Sequence, residues 1–149
     1  MPNLSTATAR RTGRCLCAAV RFEVTGEPLW VAHCHCESCR RATGAPMATY
    51  AGFRPANVAW SGTPRTLYAS SPGVQRGFCR DCGSPMSFAG EKWPDEVHLF
   101  VASFEDPASL RPTLHVHAGE QLAWLRLADG LPRYFTTPRE GPPLRGEAP

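Results

Sequence analysis

Short stretches of alternating apolar and polar residues run along most of the chain, and no stretch carries a sustained helical period. VRFEV (Val20–Val24) alternates strictly, which predicts a half-buried strand. LWVAHC (Leu29–Cys34), MATYAGF (Met47–Phe53), VAW (Val58–Trp60) and TLYAS (Thr66–Ser70) read as further strands, separated by Gly- and Pro-containing turns. VQRGFC (Val74–Cys79) and SPMSF (Ser84–Phe88) flank a tight turn, EVHLFVASF (Glu96–Phe104) gives the strongest strand signal, and TLHVH (Thr113–His117) a last one. Helix is expected only as one turn over Arg40–Thr43, stopped by Gly44-Ala45-Pro46, and as a short piece in EDPASL (Glu105–Leu110). The expected fold class is mostly β: one domain over 13–137, preceded by a flexible lead (1–12) and followed by a disordered Pro-rich tail (138–149).

Composition narrows this picture. The 149 residues suit one domain of roughly 150. The longest apolar runs are about six residues, as in CLCAAV, far short of the ~18 a membrane helix needs, so no membrane partner is expected. The basic residues are fifteen Arg and one Lys (Lys92), and Ile is absent. That is coding bias more than selection for a polyanion. Seven thiolates and two zinc ions would bring the formal charge of +3 to about zero, because metal ligands must be deprotonated. Nucleic acid is therefore not an expected partner. MPNLSTATARRTGR has no apolar stretch of the kind a signal peptide carries, and the odd number of cysteines, seven, fits poorly with a disulfide framework. Both point to a reducing, cytoplasmic setting, where clustered cysteines bind metal or do chemistry.

The cysteines fall into three groups: Cys15-x-Cys17, Cys34-x-Cys36-x-x-Cys39, and Cys79-x-x-Cys82-Gly83. Thiolates one or two residues apart on a turn can face one ion at about 2.3 Å. Gly83 suits such a knuckle because it accepts φ > 0. Two partitions are open. Cys15, Cys17, Cys79 and Cys82 could form a closed four-thiolate site beside a three-thiolate site at Cys34, Cys36 and Cys39. Alternatively, Cys36 and Cys39 could join Cys79 and Cys82 in a ribbon that strands three cysteines. The first uses all seven, giving one closed, structural-type site and one with an open position.

GRCLCAAVRFE (13–23), AHCHCESCRRATGAP (32–46), RGFCRDCGSPMSF (76–88) and ASFEDPASLRPTLHVH (102–117), with Trp124 and DGLPRY (129–134), resemble the glutathione-dependent formaldehyde-activating enzyme family. The resemblance covers roughly 13–135. It implies a β-tent fold of two small antiparallel sheets with zinc knuckles at the strand ends. It also implies a structural zinc on Cys15, Cys17, Cys79 and Cys82, and a catalytic zinc on Cys34, Cys36 and Cys39, where glutathione as co-substrate meets an aldehyde. Cys36 is the position the resemblance links to glutathione attachment. One departure is visible: Ala18 stands where the family usually has Gly, and if φ is positive there Ala costs roughly 1 kcal/mol.

The chemistry so implied is addition of a thiol to an aldehyde, the work of a zinc-dependent carbon–sulfur lyase or synthase on an adduct such as S-(hydroxymethyl)glutathione. Its partners would be a small thiol and an aldehyde, with room for a homo-oligomer. Two other classes compete. One is a non-catalytic zinc-binding interaction module of the same fold. The other is a redox enzyme, which would want a reactive thiol outside the metal sites. Around the triplet, Arg40 and Arg41 could hold glutathione carboxylates against a background of merely solvated arginines. His33 and His35 alternate with Cys34, which puts them on the opposite face in supporting or surface roles. His115 and His117 fall on one strand face and could line a pocket, with His115 the candidate for substrate binding. His98 reads as a satisfied core or surface histidine, and Phe53, Trp93 and Trp124 as core or rim aromatics.

Overall fold

A computed structural model describes residues 8–145. Segments 1–7 and 146–149, which hold most of the expected lead and the end of the expected tail, lie outside the described residues. In chain order the strands are β1 (Arg10–Arg14), β2 (Val20–Thr25), β3 (Trp30–Cys34), β4 (Ala48–Phe53), β5 (Val58–Gly62), β6 (Thr66–Ser71), β7 (Val74–Phe78), β8 (Pro85–Gly90), β9 (Val97–Phe100) and β10 (Leu114–Val116). One short helix, α1 (Glu37–Thr43), interrupts them between β3 and β4. The mostly-β class holds, with two sheets and the cysteines near strand ends.

The strands pair as a three-stranded sheet, β1-β2-β5, and a seven-stranded sheet, β10-β3-β4-β9-β8-β7-β6. All pairings between named strands among the described residues are antiparallel except β10 with β3, which is parallel. The principal core lies between the sheets. Val20, Phe22 and Val24 alternate inward from β2, and Val31, Ala51, Phe53, Val97 and Leu99 answer from β3, β4 and β9. The other face of the large sheet carries a second cluster around Cys34, Cys39, Tyr50 and Phe100, so this sheet is apolar on both sides at its centre.

Two departures from simple alternation shape the fold. Met86 and Phe88, two residues apart, should share a face. Yet Gly77 pairs with Ser87 and Phe78 with Pro85, so Met86 is an extra, bulged residue. It turns into the core between the sheets while Phe88 stays on the outer face. The strand expected over Glu96–Phe104 ends at Phe100, and Val101–Ser103 form a 3-10 turn. There the chain crosses to the small sheet: Phe104 bridges Gly13, and its ring packs edge-on against Phe22 at 4.9 Å.

Arg10–Thr12, part of the expected lead, pair with β2 from Thr25 to Glu23. Segment 138–145 has no regular structure but is tied down, the Leu144 N–H donating to Arg133 O at 2.7 Å.

Candidate functional site

Cys15 and Cys17 sit on the turn from β1 to β2, and Cys79 and Cys82 on the turn from β7 to β8. Each turn is closed by its own backbone. Ala18 N–H donates to Cys15 O at 3.1 Å, with Ala18 at φ 65°, so the position that resembles a family glycine does adopt the left-handed region. In the second turn Gly83 N–H donates to Cys79 O at 2.8 Å, and Gly83 takes φ 76°. Ser84 joins the two turns, its hydroxyl accepting from Leu16 N–H at 3.0 Å and lying 3.2 Å from Cys82 Sγ.

The four sulfurs lie within 4.8 Å of one another. Cys15 and Cys17 are 3.6 Å apart and Cys17 and Cys79 3.8 Å. A tetrahedron with zinc–sulfur bonds of ~2.3 Å has edges of about 3.8 Å, so the donor set fits zinc in size and chemistry. Hydrogen bonds from Ser84, first through its hydroxyl, hold the Cys82 thiol down at about 5.

The triplet is built differently. Cys34 ends β3, and Cys36 is the N-cap of α1, its sulfur accepting from Cys39 N–H at 3.3 Å. That cap extends the helix back to Glu37, three residues beyond the single turn expected from Arg40. Cys34 and Cys39 are buried, Cys36 is half-buried, and the three sulfurs again lie within 4.8 Å of one another. Hydrogen bonds from Cys34 and Cys36, then from the Tyr50 hydroxyl at 3.4 Å, hold Cys39 down at about 2. Cys34, crowded by the Cys36 and Cys39 sulfurs, is pushed up. Three sulfurs this close cannot all ionise unless a cation compensates them. Arg76 supplies part of that charge from β7, 3.9 Å from Cys39 Sγ and 3.5 Å from the Tyr50 hydroxyl. The set fits one zinc with a fourth position left open.

The triplet lies at one side of a groove of about 1330 Å³ on the outer face of the large sheet. Its floor is a cross-strand row of Tyr68, Arg76, Phe88, His98, Gly52 and Trp30, in register from β6 to β3. Gly52 is required because the Trp30 indole lies where a Cβ would be. His98 is buried and bonded to Glu96 at 2.9 Å, a carboxylate that also accepts from Trp30 Nε1 at 3.0 Å. It is satisfied, as expected, but it also lines the groove. Trp93 sits at the rim, Phe53 is in the core, and Trp124 is exposed.

Arg41 lines the groove mouth, paired with Glu37 at 2.8 Å. Arg40 points away: Nε donates to His35 O at 3.2 Å and Nη2 to Glu120 O at 3.4 Å. His115 is not brought to the triplet. It pairs in parallel register with His33, on the sheet face opposite Cys34, and His35 joins it there through a 2.8 Å Nε2 to Nδ1 hydrogen bond. His115 and His117 do not share a face, because β10 ends at Val116 and His117 adopts φ 53°, which turns it to the groove. Tyr50, Arg76 and Trp30 were not singled out by sequence. For Trp30 the usable signal was its even spacing from Cys34 along β3.

The profile of the glutathione-dependent formaldehyde-activating enzyme family matches residues 10–120. The chain belongs to that family. A Halomonas elongata relative, named "Putative glutathione-dependent formaldehyde-activating enzyme", is 30% identical over 70% of this chain and 71% of its own. A Schizosaccharomyces pombe protein named as an uncharacterized lyase is 32% identical over 52% of this chain, a match that spans only 56% of the yeast protein. The crystal structure of a Rhodobacter sphaeroides protein superposes with a TM-score of 0.54 at 31% identity, over 63% of this chain and 87% of that one. The family profile covers all seven cysteines and ends at Glu120, before the DGLPRY segment. Among the described residues no helix is long and apolar enough to cross a membrane.

Proposed function

We propose that this member of the formaldehyde-activating family joins a small thiol, glutathione, to an aldehyde at the Cys34–Cys36–Cys39 site, as a carbon–sulfur lyase or synthase. The observation that carries this reading is the contrast between the two cysteine clusters. One closes on itself with four sulfurs, whereas the other offers three at the side of a large groove. A purely structural centre has no use for an open position.

The reaction is balanced without any redox partner: a C–S bond forms, the carbonyl π bond breaks, and the thiol proton ends on the carbonyl oxygen. Zinc held by Cys34, Cys36 and Cys39 would supply the positive charge that keeps an incoming thiol ionised at neutral pH. The protein's own groups do the rest. The Tyr50 hydroxyl and Arg76 face Cys39 Sγ and offset the negative charge of the sulfur cluster. Cys36 is the least buried of the three cysteines, so a glutathione thiolate would approach a zinc held by the triplet from the Cys36 side. Arg41 and Lys92 at the groove's edge give counter-charges for the tripeptide's carboxylates, and Glu37 and Glu120 for its ammonium. The rings of Tyr50, Phe100, Phe88 and His98 give the aldehyde an apolar wall to pack against.

Native mass spectrometry with and without millimolar glutathione tests this. Two zinc ions per chain, and a glutathione adduct lost in Cys36→Ser while the fold persists, are expected. One zinc and no adduct under any condition would sink the reading in favour of a non-catalytic module.

A further inference from the structure

On the far side of the large sheet a row of polar side chains runs across four adjacent segments. Thr49 of β4 pairs with His33 of β3, His33 with His115 of β10, and His115 with Arg133 through a parallel bridge. Asp129, from the loop before that bridge, reaches back to place Oδ2 2.8 Å from His115 Nε2. Neither cysteine centre includes these residues.

We propose that His33, His115 and Asp129 form a third cation site, selective for a divalent transition ion such as Zn²⁺, Co²⁺ or Ni²⁺. One ligand atom from each residue lies within 4.8 Å of the other two. The wiring of the imidazoles points the same way. His33 Nδ1 is engaged with Thr49 Oγ1 at 2.8 Å, and His115 Nδ1 with His35 Nε2 at 2.8 Å. Each ring thus commits Nδ1 to a neighbour and keeps Nε2 for a ligand, which is how metal-bound histidines are oriented. Asp129 is oriented too: Oδ1 accepts from Leu131 N–H at 3.0 Å, leaving Oδ2 aimed at the ring. The Nε2 to Oδ2 distance of 2.8 Å is close to the ~3.0 Å between adjacent ligands of an octahedral ion at bond lengths of ~2.1 Å.

The donor set also says which ions fit. Two imidazoles and one carboxylate suit borderline transition ions, whereas Mg²⁺ and Ca²⁺ want oxygen shells. Asp129 is exposed, so ion and water have a way in. The site stands whether or not the thiol–aldehyde reading holds.

Cobalt titration of protein given only two equivalents of zinc, enough for the two thiolate centres and not for a third site, tests the proposal. A thiolate site filled with cobalt shows strong near-ultraviolet charge transfer, whereas a nitrogen and oxygen site shows only weak visible bands. The wild type should take up one further equivalent without new charge transfer. Asp129→Asn and His33→Gln should each weaken that uptake by at least about tenfold, with zinc content unchanged by mass spectrometry. Should His33→Gln disturb adjacent Cys34, Asp129→Asn carries the test, since Asp129 lies outside the strands. No extra equivalent at sub-millimolar cobalt, or equal uptake in wild type and Asp129→Asn, would overturn the site and leave a purely structural His–Asp pair.

Discussion

Ala18 sits at φ 65° in the turn that presents Cys15 and Cys17, and replacing it with Gly should stabilise the protein. A left-handed conformation costs an L-residue about 1–2 kcal/mol. Gly removes that cost but gains freedom in the unfolded chain, which offsets about 0.4–1 kcal/mol. Little else changes, because the turn is held by main-chain groups: Ala18 N–H donates to Cys15 O, and Ala18 O accepts from Arg21 Nε at 2.8 Å. The net gain is about 0.5–1 kcal/mol, or roughly 1–4 °C in Tm for a chain of this size. Urea unfolding of zinc-loaded Ala18→Gly against wild type gives the difference directly. Ala18→Val is the control and should lose stability, since a β-branched residue tolerates this region least. A Gly variant no more stable than wild type, at equal zinc content, would show that the turn is not strained at Ala18.

Other expectations follow from the same geometry. Burial pushes the His98 pKa below its usual value, against the pull of Glu96. The unfolded chain therefore binds more protons as pH falls through about 6.5, and stability present above that value is lost towards the lower folded pKa. Urea midpoints at pH 7.5 and 5.5 should fall less in His98→Phe than in wild type; equal losses would exclude His98 as the cause. Cys79→Ser removes a buried sulfur from the four-thiolate set and should cost several kcal/mol together with one zinc per chain, read by thermal melting and metal analysis. Unchanged stability there would mean that the cluster is not a structural centre. Gly52→Ala pushes a methyl into the Trp30 indole and should destabilise by about 1–3 kcal/mol and shift tryptophan emission, whereas a silent substitution would mean the Trp30 side chain moves aside freely.

Where side chains alternate cleanly, the sequence was enough to place a strand: VRFEV became β2 with Val20, Phe22 and Val24 inward. β1 was illegible because RRTGR has no apolar alternation, and its buried position is Gly13. It becomes a strand only because β2 offers it an edge. The Met86 bulge could not be read either, since a bulge inverts the face of everything beyond it and leaves no mark on composition. The cysteine clusters were legible because metal ligation demands short local spacings, and the same seven residues group four and three in space. Tyr50, Arg76 and Asp129 reach their partners through strand pairing or a loop return, so their roles depend on register that periodicity does not encode.

The two cysteine centres are separated in time as well as in space. The triplet is complete as soon as six consecutive positions, Cys34 to Cys39, have left the ribosome. The four-sulfur centre must wait for Cys82, which at about 5–20 residues per second is several seconds after Cys17. During that interval Cys15 and Cys17 have no partners, while the three sulfurs of the triplet are already present. The closed cluster is the last to have all its sulfurs, and its completion is what brings the β1–β2 turn against the β7–β8 turn.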